Sequence, residues 1–269
     1  MTDQAPWHNP VKARLQAGEP VLGLTISTPS LEAAAHAATL GFHFLWVEME
    51  HSPITLESLR NIVLATRGLP ALVFARVPVV EIYQAKRVLD QGVTGVIFPF
   101  SSSAVKASTA ASATKYPPRG RRGSGAGAAV RTWPQQHGSY YDSADENVMT
   151  VCVIEEASAV EQIEEIASTP GVDVLFIGTS DLSFSLGLRG RQDEPELIKA
   201  IERVRSAALS NGKFVGRPVG SAQDVCRYTE EGFLFFQVCT EIGLMDLGAR
   251  QLLDPLGITG IPPKNRPLY

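Results

Sequence analysis

Eight times along the chain, a short and almost uninterrupted apolar run gives way to a segment with helical spacing. The first pair is "PVLGLTIS" with "SLEAAAHAATLG", a helix that Ser30 opens and Gly41 closes. "FHFLWVEM" precedes "TLESLRNIVLATRG", where Thr55 and Ser58 offer capping hydroxyls and Gly68 ends the helix. The series runs on through "ALVFARVP" and "GVIFPF", and resumes at "MTVCVIEE", "DVLFIGTSD", "KFVGRPVG" and "FLFFQVCTE", each followed by a helical stretch. Strands that are apolar throughout, rather than alternating, belong to parallel sheets covered on both faces. Eight such units in 269 residues predict an α/β fold, a (β/α)8 TIM barrel forming one domain over residues 1–269. An open doubly wound sheet is the rival. It usually carries a Gly-rich fingerprint after its first strand, and "TISTPSLEAA" has none. The Gly- and Arg-rich stretch 117–148 interrupts the alternation and reads as an inserted loop or lid, and 258–269 as a C-terminal arm.

In such a barrel the catalytic side chains stand at the C-terminal ends of the strands. Those ends are where the ionisable residues collect: Glu48, Glu50 and His51 in "WVEMEHSP", then Arg76, Glu155 and Glu156, Asp181, Arg217 and Glu241. The strand bodies are almost free of charge, and burying an ionisable group is costly unless it is paired or binds a metal. Glu155 and Asp181 end consecutive strands, which lie about 4.8 Å apart. Two carboxylates that close repel unless a cation intervenes, and a hard divalent ion such as Mg²⁺ or Mn²⁺ suits two oxygen ligands. Each acid alone reads equally well as a helix cap or a turn residue; the pair favours the metal. His51, near this ion, is the candidate for proton transfer, with Glu48 or Glu50 to fix its tautomer. Arg76 ends an apolar strand that has no other use for a charge, and a guanidinium there grips a carboxylate or enolate oxygen. His8, His36, His43 and His137 are read as structural, and "RGRRGSGAG" as a lid rather than a phosphate cradle, since it lacks the Gly-Lys-Ser/Thr ending.

The net charge of −4 argues against a nucleic-acid partner. No apolar run approaches the ~18 residues that a membrane span requires, and "MTDQAPWHNP" has no secretory character. The three cysteines, Cys152, Cys226 and Cys239, are too few and scattered for a disulfide framework or a zinc site. A cytoplasmic protein is expected.

Taken together, "WVEMEHSP", "ARVP", "AKRVLDQGVTGVIFP", "KYPPRGRRGSG", "VIEEASAVEQIEEIASTPGVDVLFIGTSDLSFSLG" and "GFLFFQVCTE" resemble the metal-dependent (class II) 4-hydroxy-2-oxoacid aldolases in order and spacing. These are pyruvate aldolases of the phosphoenolpyruvate/pyruvate barrel superfamily, relatives of macrophomate synthase and of keto-deoxy sugar acid aldolases. The resemblance covers about residues 20 to 250. It implies a Mg²⁺-, Mn²⁺- or Co²⁺-type ion on Glu155 and Asp181 that chelates pyruvate. It also implies a substrate carboxylate held by backbone amides around Ser180 and Asp181, with Arg76 on the keto or enolate oxygen. By the same likeness His51, oriented by Glu48, moves the proton, and Asp90 matches an acid projected into a neighbouring subunit's site. The family's assembly is a homohexamer, a trimer of dimers with an exchanged C-terminal helix.

Several residues depart from the family pattern: Glu48, His43, Val153, Thr179, Arg217 with Pro218, and Cys239 to Glu241. They leave the pyruvate half intact and bear on the aldehyde partner, for which Arg217 suggests an anionic acceptor. The implied reaction is aldol cleavage or addition of 4-hydroxy-2-oxoacids, giving pyruvate and an aldehyde. The alternatives are oxaloacetate decarboxylation with macrophomate-synthase-like enolate chemistry, an acyl-CoA lyase, and a non-catalytic oxoacid-binding barrel.

Overall fold

The computed structural model describes residues 8–132, 140–258 and 260. Eight parallel strands close in sequence order into a barrel: β1 (Val21–Ile26), β2 (Phe44–Glu48), β3 (Leu72–Arg76), β4 (Gly95–Phe98), β5 (Met149–Ile154), β6 (Val174–Ile177), β7 (Phe214–Pro218) and β8 (Phe235–Thr240). The expected (β/α)8 architecture is therefore what the chain adopts. His137 and most of the arm 258–269 lie outside the described residues.

The helices are α1 (Pro10–Gln16), α2 (Leu31–Ala37), α3 (Leu56–Ala65), α4 (Ile82–Asp90), α5 (Ala104–Thr114), α6 (Gly127–Thr132), α7 (Tyr140–Asn147), α8 (Ala157–Glu161), α9 (Ile163–Ala167), α10 (Thr179–Ser185), α11 (Pro195–Ser210), α12 (Ala222–Glu230) and α13 (Glu241–Leu253). Ser30, Thr55, Ser103 and Ser221 each accept an N–H three residues on, which fixes where α2, α3, α5 and α12 begin. The stretch expected as one helix after β5 is two short ones, broken at Gln162, where φ −103° and ψ 18° leave the helical region. The stretch 117–148 contains α6 and α7, and α7 is tied back to the scaffold: Lys115 Nζ donates to the carbonyls of Asp145 and Val148 at 2.7 Å.

Two cores share the strands. Outward-facing residues such as Leu45, Val47, Val215 and Phe236 pack under the helices. Inward-facing Phe44, Trp46, Phe74, Phe176 and Phe235 fill the barrel itself, with Phe44 and Phe235 stacked at a 4.6 Å centroid separation. The rings leave no room for other side chains: a Cβ on Gly23 would lie 2.2 Å from the Phe44 ring. Helix α1, which the strand–helix alternation does not reveal, closes the floor with Val11 and Leu15. A floor and middle packed with aromatics leave the C-terminal mouth as the place for inward-facing polar groups.

Helix α13 is the exception to close packing. Glu241 is its single buried residue, while Met245, Leu247 and Leu252 are 70%, 61% and 73% exposed.

Candidate active site

Inward-facing positions alternate along each strand, so the residue that follows the aromatic layer projects into the mouth. On β2 the series Phe44, Trp46 ends in Glu48; on β3 the series Leu72, Phe74 ends in Arg76; and Glu48 and Arg76 are paired across the two strands. On β5 the series Met149, Val151, Val153 leads to Glu155.

Arg76 gathers three carboxylates. Its Nη2 lies 2.6 Å from Glu50 and 3.4 Å from Glu155, and its Nη1 lies 3.5 Å from Glu48. Glu155 is buried, and its Oε1 accepts the Phe100 N–H at 2.6 Å. That N–H is turned inward by a left-handed backbone, φ 44°, an uncommon and strained state for a residue other than glycine. Gly178, just past β6, lets Glu155 lie against the strand: a Cβ there would meet Glu155 Cβ and Oε2 at 2.9 Å. Burial pushes the carboxyls of Glu50 and Glu155 up to about 7, against the pull of Arg76. Asp181, in the first turn of α10, raises both further by like charge, so its carboxylate belongs to the same electrostatic group.

Three acids around one guanidinium, with the charge of a fourth acid reaching two of them, make a site with too much negative charge for its depth. Its donors are hard oxygens, which suit a hard divalent cation better than zinc. Among the described residues, no group of three or more His, Cys, Asp or Glu is arranged to hold an ion by itself. Glu155 and Asp181 supply carboxylate oxygens to the same electrostatic group, and hard oxygen donors of this kind are compatible with a divalent cation whose remaining positions are filled by substrate and water.

Other expectations need correction. Glu48 does not meet the His51 ring. Its Oε1 accepts the backbone N–H groups of Glu50 and His51 at 2.8 and 3.1 Å, and its Oε2 accepts the Trp46 indole at 3.2 Å. The longer arm of glutamate folds back onto its own turn, and the carboxylate nearest the His51 ring is Glu50, at 3.7 Å. The ring itself is 57% exposed at the rim. Arg217 is not in the mouth. Phe214, Gly216 and Pro218 share the inward parity of β7, so Arg217 faces outward and lies over the Tyr228 ring at 3.7 Å, with Phe233 at 5.5 Å. The anionic-acceptor role inferred for it has no geometric basis. We expect Arg217→Leu to leave the ratio of activities on charged and neutral aldehydes unchanged and to lower stability by about 1–2 kcal/mol in denaturant titration. A changed ratio would return Arg217 to the site.

Asp90 ends α4 in the outer layer, half-buried and 3.9 Å from Arg122, away from its own barrel's mouth. Glu241, a strand-end candidate, is taken up in structure: its carboxylate accepts the N–H groups of Ser27 and Thr28 at 2.8 and 2.7 Å. Glu156 bonds Ser102 instead of facing the mouth group. Two inward residues escaped the sequence reading, Thr25 and Gln237, whose side chains are hydrogen-bonded at 2.7 Å. Strand parity marks them, since each lies two residues beyond an inward-facing Gly23 or Phe235.

Comparison with known proteins gives a consistent result. A family model described as HpcH/HpaI aldolase/citrate lyase matches residues 23–245. A hydroxypyruvate/pyruvate aldolase of Cupriavidus necator is 32% identical, the match covering 92% of each chain. A 4-hydroxy-2-oxo-heptane-1,7-dioate aldolase of Escherichia coli is 31% identical over 93% of this chain and 95% of its own. Among solved structures, an HpcH/HpaI aldolase/citrate lyase family protein from Burkholderia cenocepacia superposes with a TM-score of 0.85 at 31% identity, covering 93% of this chain and all of its own.

Proposed function

Since this chain belongs to the HpcH/HpaI aldolase/citrate lyase family, we propose that the mouth of its barrel is the active site of a pyruvate-dependent aldolase. The enzyme is a carbon–carbon lyase that cleaves 4-hydroxy-2-oxoacids to pyruvate and an aldehyde, and runs the reverse addition. The observation that carries the reading is the gathering of Glu48, Glu50 and Glu155 around Arg76 at the C-terminal strand ends, with the charge of Asp181 reaching the same point.

Members of the family generally depend on a divalent metal ion. Glu155 and Asp181 would hold it here, with Mg²⁺ or Mn²⁺ the ions of choice and Co²⁺ an alternative. Bound there, the ion would supply Lewis-acid polarisation of the 2-oxo carbonyl. The chain's own residues do the rest. The Arg76 guanidinium donates to the oxo oxygen and stabilises the negative charge that grows there as the C3–C4 bond breaks. Glu48 and Glu50 hold that guanidinium in place. Backbone N–H groups at Ser180 and Asp181, in a first helical turn with no intrahelical acceptors, take the substrate carboxylate. His51 removes the C4 hydroxyl proton as the aldehyde leaves, with Glu50 its nearest carboxylate.

The assembly extends the proposal. The apolar residues exposed on α13 favour its packing on a second copy, in a hexamer built as a trimer of dimers, with Asp90 reaching a neighbour's site. A cytoplasmic location is part of the same reading; among the described residues no helix is long and apolar enough to cross a membrane.

The test compares two substrates. Pyruvate release from a 4-hydroxy-2-oxoacid should require a divalent ion and fall by about 10²–10⁴-fold in His51→Ala, the usual worth of a general base. Oxaloacetate decarboxylation, which makes the same enolate without a hydroxyl proton to remove, should persist in that variant. Equal loss of both would remove His51 from the C4 hydroxyl. Absence of metal-dependent pyruvate release in the wild type would leave an oxoacid-binding barrel.

A further inference from the structure

The acids and Arg76 occupy the mouth along β2, β3, β5 and the start of α10, while the inward-facing side chains of the opposite seam, between β8 and β1, are uncharged, the Glu241 carboxylate there being turned to the Ser27 and Thr28 N–H groups. Two polar side chains face inward there. Thr25 is directly beside Trp46 in register, and the indole of Trp46 bonds Glu48, so the seam adjoins the charged half of the mouth. Gln237 Nε2 donates to Thr25 Oγ1 at 2.7 Å, and both residues are buried. The second amide hydrogen and the carbonyl oxygen of Gln237 make no further hydrogen bond among the described residues. Neither amide atom of Gln237 is among the side-chain atoms that are both sealed from solvent and unpaired, so the capacity that Thr25 does not use stays open to a ligand.

The seam is also fixed in place. The register of β1 on β8 shifts between Gly23 and Leu24, which makes Gln237 the last residue of β8 before the irregularity. Such irregularities recur beside active sites, where they aim a side chain. Just beyond it, Glu241 clamps the end of β1 through the N–H groups of Ser27 and Thr28. Hydroxyl and amide are thereby held by backbone elements that cannot drift apart.

We propose that Thr25 and Gln237 read the aldehyde partner: an uncharged hydroxyl–amide pair that selects acceptors carrying a hydroxyl or carbonyl beside the reacting carbon over plain alkyl aldehydes. This rests on the proposed aldolase function and names its acceptor class. The amide can accept from and donate to such a group at once, whereas an alkyl aldehyde leaves both sites unpaired. With Arg217 outside the barrel, the inward positions of β7 and β8, Phe214, Gly216, Pro218, Phe235 and Gln237, hold no cation for an acidic acceptor.

The experiment measures kcat/KM for pyruvate addition to glycolaldehyde and to acetaldehyde, which differ by one hydroxyl, in the metal-loaded wild type, Gln237→Leu, Thr25→Val and Thr25→Ser. A ratio within each protein cancels any general loss of turnover. The wild type should favour glycolaldehyde by at least ~10²-fold, Gln237→Leu and Thr25→Val should each cut that preference by about tenfold or more, and Thr25→Ser should keep it. A wild type without the preference, or an unchanged ratio in both variants, overturns the inference. Metal-dependent deuterium exchange of the pyruvate methyl group in the wild type, which needs no aldehyde, separates the two levels. Exchange without discrimination rejects the acceptor role alone, and absence of exchange rejects the aldolase reading with it.

Discussion

Glu155→Gln should abolish metal-dependent aldol cleavage, lowering kcat/KM by about 10³-fold or more, while the barrel stays folded. Glutamine keeps the shape and can still accept the Phe100 N–H that Glu155 takes at 2.6 Å. What it lacks is the negative charge. Loss of Lewis-acid stabilisation worth several kcal/mol corresponds to about three orders of magnitude in rate. The variant should also lose manganese affinity, measured by calorimetry or by electron paramagnetic resonance of free Mn²⁺. Because burial disfavours the Glu155 carboxylate, its neutral replacement should match or exceed wild-type stability without metal. Full activity in Glu155→Gln would separate the ion from this carboxylate.

Arg76 carries the second large effect, and here stability and rate should fall together. The guanidinium is buried among Glu48, Glu50 and Glu155, so Arg76→Met leaves three acids without a counter-charge. Breaking a buried pair by removing one partner costs about 3–5 kcal/mol. Arg76→Lys restores the charge but not the planar fork that reaches three carboxylates at once and, in the proposed reaction, the oxo oxygen as well. We expect that variant to fold and to lose about 10²–10³-fold in kcat, the usual worth of one donor aimed at a developing oxyanion. A lysine variant with wild-type kcat would limit Arg76 to scaffolding.

Much of this molecule is legible before any coordinates. The barrel follows from eight buried strands whose charge is confined to their tips, and Arg76 and Glu155 meet because such tips converge in space, with Asp181 within electrostatic reach of Glu155. What the strand-end rule omits is parity. Glu48, Arg76 and Glu155 share the inward phase of Phe44, Phe74 and Val151, whereas Arg217 is out of phase with Phe214 and Gly216. Counting in twos from those residues turns Arg217 outward, where the structure finds it over Tyr228, and brings Gln237 inside. The glycines carry the same signal, since Gly23 and Gly178 stand where an inner ring or Glu155 takes the space of a side chain.

Other features left no local trace. The fold-back of Glu48 onto the peptide groups of Glu50 and His51 depends on how the chain turns after β2. Helix α1 has just two buried apolar residues in its seven, too few for a helical period to stand out. Its role comes from the open barrel floor that it covers, which is a property of the closed sheet.

Crystals grown with Mn²⁺ and pyruvate test the assignment of Glu155 and Asp181 as the metal ligands, through the anomalous signal of the metal. One manganese peak is expected between the carboxylates of Glu155 and Asp181, with two pyruvate oxygens and water in the rest of its shell and Arg76 on the 2-oxo group. Pyruvate bound with no manganese between those two side chains, or manganese held elsewhere in the barrel, would contradict the assignment.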